Sequence, residues 1–155
     1  MGLSSYQPIS RESIIYLPEK FKNNGCLTGQ KYLDFFQCYD RENLERLNFP
    51  VEVLCKKIET YSKGMLQKLG LAFFFGQKKD LKIADEIMSG LDYKTRDAVK
   101  ALINAQNKQG ITFLFTTHTF EEAHHTTNRF LHLDKKNIHF DEASHKHLLP
   151  RKRCC

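Results

Sequence analysis

Four short patterns between Tyr61 and His118 hold the side chains that could do chemistry. They are Tyr61-Ser62-Lys63-Gly64-Met65, Leu81-Lys82-Ile83-Ala84-Asp85-Glu86, Ser89-Gly90-Leu91-Asp92 and Thr116-Thr117-His118. Asp85-Glu86 closes a short apolar run, and adjacent carboxylates there have a specific use. One can hold Mg²⁺, directly or through water, while its neighbour polarises an attacking water. Ser62 is of a helix-capping type, and the open N–H groups and positive dipole end of the helix it starts suit an anion such as a terminal phosphate. His118 follows a second apolar run. Taken singly, each has a plain structural explanation: a strand end opening into solvent, a helix cap, a satisfied core histidine. Together they outline the part of a triphosphate site that senses and hydrolyses. The 155 residues contain no G-x-x-x-x-G-K-[ST], the loop that would cradle the phosphates.

The elements that must position these residues alternate. Residues 13–17 read as a short strand stopped by Pro18, after an irregular polar stretch over 1–13. Residues 30–47 read as helical, with Tyr32, Leu33, Phe36 and Tyr39 on one stripe that Leu44 and Leu47 resume after Asp40. Pro50 interrupts, and residues 51–60 carry a second short helical pattern. Ser62 caps a helix through Met65, Leu66, Leu69, Ala72 and Phe73 that Gly76 closes as the residue beyond its end. A polar turn leads to a strand over 81–85. Asp92 caps a further helix through Val99, Leu102 and Ile103, ended by Gly110. Residues 111–116 (ITFLFT) form a near-continuous apolar strand of the kind buried on both faces. A short helix over 119–127 and a hairpin pairing 130–133 with 138–140 complete the reading. Strand, helix, parallel strand, helix predicts an α/β sheet, whose chemistry collects at the carboxyl ends of its strands. Asp85-Glu86 and His118 stand at two such ends.

Composition narrows the class. A chain with 41% hydrophobic and 27% charged residues at this length supports one globular core. The longest apolar run covers 71–75, far below the roughly 20 residues of a membrane-spanning helix. MGLSSYQPIS lacks the basic and apolar regions of a secretory signal and fits the myristoylation pattern poorly. The net charge of +6 is interleaved along the chain, with one tight basic cluster at 151–153, so nucleic acid is not expected as a partner. The five cysteines show no C-x-x-C pair and read as reduced cytosolic thiols; Arg151-Lys152-Arg153-Cys154-Cys155 has no GTPase body before it to make it a prenylation signal. His124-His125 and His145-Lys146-His147 lack companion ligands for a metal.

In their order and spacing, the four patterns make most of residues 14–141 resemble the C-terminal half of the nucleotide-binding domain of ABC transporters. Residues 61–72 (YSKGMLQKLGLA) resemble the family's signature motif and its helix, 81–86 the Walker B strand, 89–92 the D-loop, and His118 the switch histidine. Tyr16-Leu17-Pro18-Glu19 with Leu27-Thr28-Gly29 resembles the Q-loop region, with Glu19 where the family often has Gln. The YSKGM form, and YLPE ahead of LTG, are closest to the export-type subfamily with separate membrane subunits. The fold so implied is α/β: a partial P-loop NTPase-like ABC ATPase, with a helical subdomain over about 20–60 and a basic tail over 142–155.

The resemblance also implies roles. Asp85 acts on Mg²⁺, Glu86 is the general base, and His118 contacts the γ-phosphate. Ser62, Lys63 and Gly64 close over ATP bound to a second nucleotide-binding subunit, and Asp92 lies at that dimer seam. Glu19 and the aromatic stripe of 32–39 face membrane-spanning permease subunits, which would place the chain in the cytoplasm, peripheral on the inner face of the plasma membrane. Some positions depart from the pattern. Lys82 and Ala84 replace apolar residues of a core strand, so Lys82 needs an edge, a partner or a route to solvent. Ile87-Met88 stands where the family usually has Pro-Thr. The missing phosphate loop predicts an N-terminally truncated ATPase with little activity alone, open sheet edges and uncovered apolar faces. Two alternatives stay open: a regulatory half-subunit lending its signature helix to a complete partner, and a degraded gene product.

Overall fold

The structure, a computed structural model, describes residues 10–21, 25–119, 122, 126–134 and 137–142. The chain divides into two compact units, Met1–Thr116 and Thr117–Cys155.

In the first unit, three short apolar runs become strands β1 (Ile14–Leu17), β2 (Leu81–Ala84) and β3 (Thr112–Phe115). They pair in parallel in the order β1-β2-β3, with Tyr16 beside Ile83 and Ile83 beside Leu114. Because side chains alternate, Ile15, Leu17, Lys82, Ala84, Phe113 and Phe115 share one face. That face packs under two helices, α3 (Lys63–Gly76) and α4 (Tyr93–Lys108). The opposite face carries Tyr16 and Leu114, exposed at 56% and 55%. Strand β3 therefore differs from the expectation of burial on both faces. Among the described residues it lies at the sheet edge, and these helices cover one side of it.

The single helical stretch expected over 30–47 is two short helices, α1 (Gly29–Phe35) and α2 (Arg41–Arg46). Gln37 adopts a left-handed φ of 52°, which ends the first, and the Asp40 carboxylate restarts the second by accepting the Asn43 N–H at 3.1 Å. Residues 51–60 form two 3₁₀ turns, Val51–Val53 and Ile58–Thr60, instead of a helix. Their backbone is used elsewhere: Gln30 N–H donates to Leu54 C=O, Gly29 N–H to Lys56 C=O, and Ile58 N–H to Leu27 C=O. Groups engaged by the 27–30 segment cannot also close a helical ladder.

Helix α3 starts as expected, with Ser62 Oγ accepting the Met65 N–H at 3.2 Å. Its end differs. Gly76 is the last helical residue and has no left-handed φ; a Cβ there would meet the Cys38 carbonyl oxygen at 2.4 Å, so close packing explains the glycine. Gly110, at φ 92°, does end α4 in the left-handed conformation.

Lys82 finds a partner. It is fully buried, and its Nζ donates to Phe74 C=O at 2.9 Å, Phe75 C=O at 3.0 Å and Gln106 Oε1 at 2.9 Å. The two carbonyls are among those a helix leaves unpaired at its last turn, where the dipole also favours a cation. Burial pushes the ammonium down to about 8. It remains charged at neutral pH, and three acceptors use its three N–H bonds.

In the second unit, β4 (Arg129–Asp134) pairs antiparallel with β5 (Asn137–Glu142), the hairpin the sequence predicts. The helix expected over 119–127 falls mostly outside the described residues, as does the tail over 143–155. Among the described residues no helix is long and apolar enough to cross a membrane.

Candidate functional site

The carboxylates stand where the parallel sheet ends. Asp85 follows β2 directly, its N–H donating to Leu17 C=O at 2.9 Å, so β1 carries the chain one residue past the strand. Glu86 then turns away with a left-handed φ of 48°, uncommon for a residue with a side chain. Ser89 N–H closes the turn onto Glu86 C=O at 2.8 Å. Ile87 and Met88 are buried, which explains apolar residues there: they anchor the turn in the core.

Thr116, just beyond β3, links both acidic residues. Its hydroxyl donates to Asp85 Oδ1 at 2.5 Å and accepts the Glu86 N–H at 3.1 Å. The sequence singles out the Thr-Thr-His pattern but gives Thr116 no task. Its position one residue past a parallel strand, beside the strand that ends in Asp85, is the signal that could have found it.

A crevice of about 10 Å³ opens at this end, lined by Glu19 after β1, Gln67 and Leu71 of α3, and Asp85, Glu86 and Ile87. Glu19, Asp85 and Glu86 are thus brought together from distant parts of the sequence. The volume matches a single water. Ser62, Lys63 and Gly64 do not line the crevice; Gln67, further along α3, does. These three residues are exposed at the start of α3. Met65 and Leu66 N–H bond back to Ser62, leaving the Lys63 and Gly64 N–H groups outside the helical ladder. A Cβ at Gly64 would meet nothing within 4 Å, so the first unit itself does not require glycine there.

Asp92 caps α4, accepting Thr95 N–H and Thr95 Oγ1, each at 2.9 Å, and faces Lys68 Nζ at 3.2 Å. The Thr95 backbone bond, its hydroxyl and Lys68 hold the carboxyl down to about 2. Gln67 of α3 also donates to Ser89 C=O, so the signature-like helix and the 89–92 loop are tied within one chain. His118 is exposed and belongs to the second unit. Among the described residues, no three His, Cys, Asp or Glu side chains are grouped to hold a metal by themselves.

A parallel sheet with helices α3 and α4 on one face and carboxylates at its C-terminal end is the fold of the ABC ATPase domain, seen in part. A solved ATP-binding subunit of an ABC transporter superposes with a TM-score of 0.72 at 24% identity, over 78% of this chain and 55% of that one. The ATP-binding cassette MJ0796, in a dimeric post-hydrolysis state bound to ADP and Pi, gives 0.71 at 18% identity, over 84% and 63%. No protein-family profile matches the sequence. In sequence the chain is 29% identical over 132 residues to an ABC transporter ATP-binding protein of Synechocystis, covering 77% of this chain and 37% of that protein. It is 37% identical over 91 residues to the spermidine/putrescine import ATP-binding protein PotA of Mannheimia succiniciproducens (58% and 24%). It is 29% identical over 133 residues to the probable multidrug ABC transporter ATP-binding protein YbhF of Escherichia coli (79% and 23%). The chain thus spans 37% or less of these relatives' lengths. In sequence and in fold, it resembles part of the nucleotide-binding domain of ABC transporter ATP-binding proteins.

Proposed function

We propose that this chain acts as an ATP-binding subunit of an ABC transporter, supplying the hydrolytic end of one site and the signature motif of another. The observation that carries this is the Asp85-Glu86 pair at the end of β2, both members bonded to the Thr116 hydroxyl and sharing a crevice with Glu19. Glu86 is the general base that orients the hydrolytic water. Asp85 is the residue that would hold Mg²⁺. The donors fit that ion, which keeps several waters and takes one or two protein carboxylates plus substrate phosphates; Asp85 has one oxygen on Thr116 and a second to offer. When bound, the ion neutralises charge on the phosphates. His118 contacts the γ-phosphate.

Ser62, Lys63 and Gly64 serve ATP held by a second nucleotide-binding subunit. Their exposure, the open N–H groups and the empty space above Gly64 support that role. Asp92 lies near the seam. Membrane-spanning permease subunits are the other partners, and the aromatic surface of Phe35, Phe36 and Tyr39, exposed at 74%, 40% and 41%, supports their docking on α1 from the cytoplasmic face. Export is the direction we propose, on the YSKGM form and the multidrug role in YbhF's name; the import in PotA's name is the competing assignment.

These 155 residues contain no phosphate loop, and in this reading a partner that has one completes the binding of triphosphate. Mixing the chain with a complete ATP-binding subunit and measuring phosphate release tests the whole reading. Stimulated hydrolysis supports it; an unchanged rate refutes it, and micromolar ATP affinity of the chain alone refutes its dependence on a partner.

A further inference from the structure

We propose that Thr116 is a positioning residue for the hydrolytic pair, fixing the backbone from which Glu86 projects and the orientation of the Asp85 carboxylate. This rests on the function proposed above and adds a residue to it. Glu86 occupies a left-handed conformation, at φ 48°, that residues with a Cβ hold only when neighbours enforce it. Both of its backbone polar groups are engaged: the N–H on Thr116 Oγ1 at 3.1 Å, the C=O by Ser89 N–H at 2.8 Å. The Thr116 hydroxyl has a single proton, and that proton goes to Asp85 Oδ1 at 2.5 Å, so its lone pairs face Glu86. Donation and acceptance by one oxygen make the two carboxylate-bearing residues a unit. Thr116 is itself held by β-type bonding, its N–H donating to Ala84 C=O at 3.1 Å. A base misplaced by a fraction of an ångström loses much of its effect, so a lock on the backbone is a lock on the reaction.

Thr116→Val keeps the shape and deletes the hydroxyl, and Thr116→Ser restores it. Each full-length variant is mixed with a complete ATP-binding subunit, and phosphate release is followed against ATP concentration. The valine variant lowers kcat about 10-fold with KM within about threefold, and the serine variant recovers most of the loss. On the chain alone, the Glu86 amide exchanges with deuterium at least about 10-fold faster in the valine variant, in line with one lost protecting bond. Unchanged kcat, no rescue by serine, or unchanged exchange at Glu86 overturns the proposal. If even the unsubstituted mixture hydrolyses nothing, the proposed function itself is refuted and a role for Thr116 in that reaction falls with it.

Discussion

Replacing Lys82 with methionine tests whether a buried cation can stabilise a core strand. The ammonium is held by Phe74 C=O, Phe75 C=O and Gln106 Oε1 and lies 5.7 and 5.9 Å from the Phe74 and Phe75 ring centroids. Phe75 C=O keeps a second donor, Gln106 Nε2 at 2.9 Å, so methionine strands two acceptors. At about 1–3 kcal/mol for each, the loss is about 4 kcal/mol. Against it stands the relief of burying a charge. A fall from 10.5 to about 8 is worth about 3 kcal/mol at neutral pH. The balance leaves Lys82→Met about 1 kcal/mol less stable at pH 7. The sign of the pH dependence is fixed by the depressed value. Between about 8 and 10.5 the unfolded chain binds the proton that folded Lys82 has released, so stability rises with pH in that window and the stability from this group is reduced below it. The methionine variant lacks that rise. Other titrating groups are common to both chains and cancel in the difference. Urea unfolding followed by circular dichroism, at pH 7 and pH 10, gives both gaps. A methionine variant as stable as the parent at pH 7, or a gap that does not widen at pH 10, refutes the reasoning, because charge burial would then outweigh three good bonds.

Three further outcomes are expected. Gly29→Ala places a Cβ 2.2 Å from the Tyr61 hydroxyl, which is fixed by its own 2.8 Å bond to Val53 C=O, and destabilises the chain by about 1–3 kcal/mol in thermal unfolding. Asp92→Ala lowers the melting temperature above pH 4. That difference shrinks as pH falls from 3.8 toward about 2, because the depressed carboxyl contributes stability above its unfolded value and loses it on protonation; melting curves from pH 2 to 6 check this. Glu86→Gln lowers partner-stimulated phosphate release by about 10²–10⁴-fold with no fall in melting temperature, measured in the mixed assay.

Local signals read true where one segment settles its own structure. Ser62 and Asp92 cap α3 and α4, Gly110 ends α4, and the three short apolar runs make the parallel sheet. What the sequence did not reveal was decided by contacts between distant segments. The break after α1 depends on Gln37 taking a left-handed turn without being Gly or Asn, and the 51–60 segment gave its backbone to residues 27–30. Gly76 looks like a helix terminator, yet its reason is Cys38, far away in sequence. At the site, the carboxylates of Asp85 and Glu86 were legible as a pair at a strand end. Their gathering with Glu19, and the Thr116 hydroxyl that joins the Asp85 carboxylate to the Glu86 N–H, required the register of β1, β2 and β3.

The same register explains how work is divided in the proposed site. A crevice of about 10 Å³ has room for a water, and Glu19, Asp85 and Glu86 line it. Donors are found instead at the start of α3, where Lys63 and Gly64 are exposed residues with N–H groups outside the helical ladder and Ser62 to Gly64 do not line the crevice. One chain thus separates the groups suited to water and a cation from those suited to a phosphate, while Gln67 and Lys68 tie α3 to the 89–92 loop between them. In the function proposed above, groups so divided act on one ATP that lies between two chains, each offering one end of the site. Under the function proposed above, phosphate release rises when the chain is mixed with a complete ATP-binding subunit, and an equal rate from the chain alone would refute that division of work.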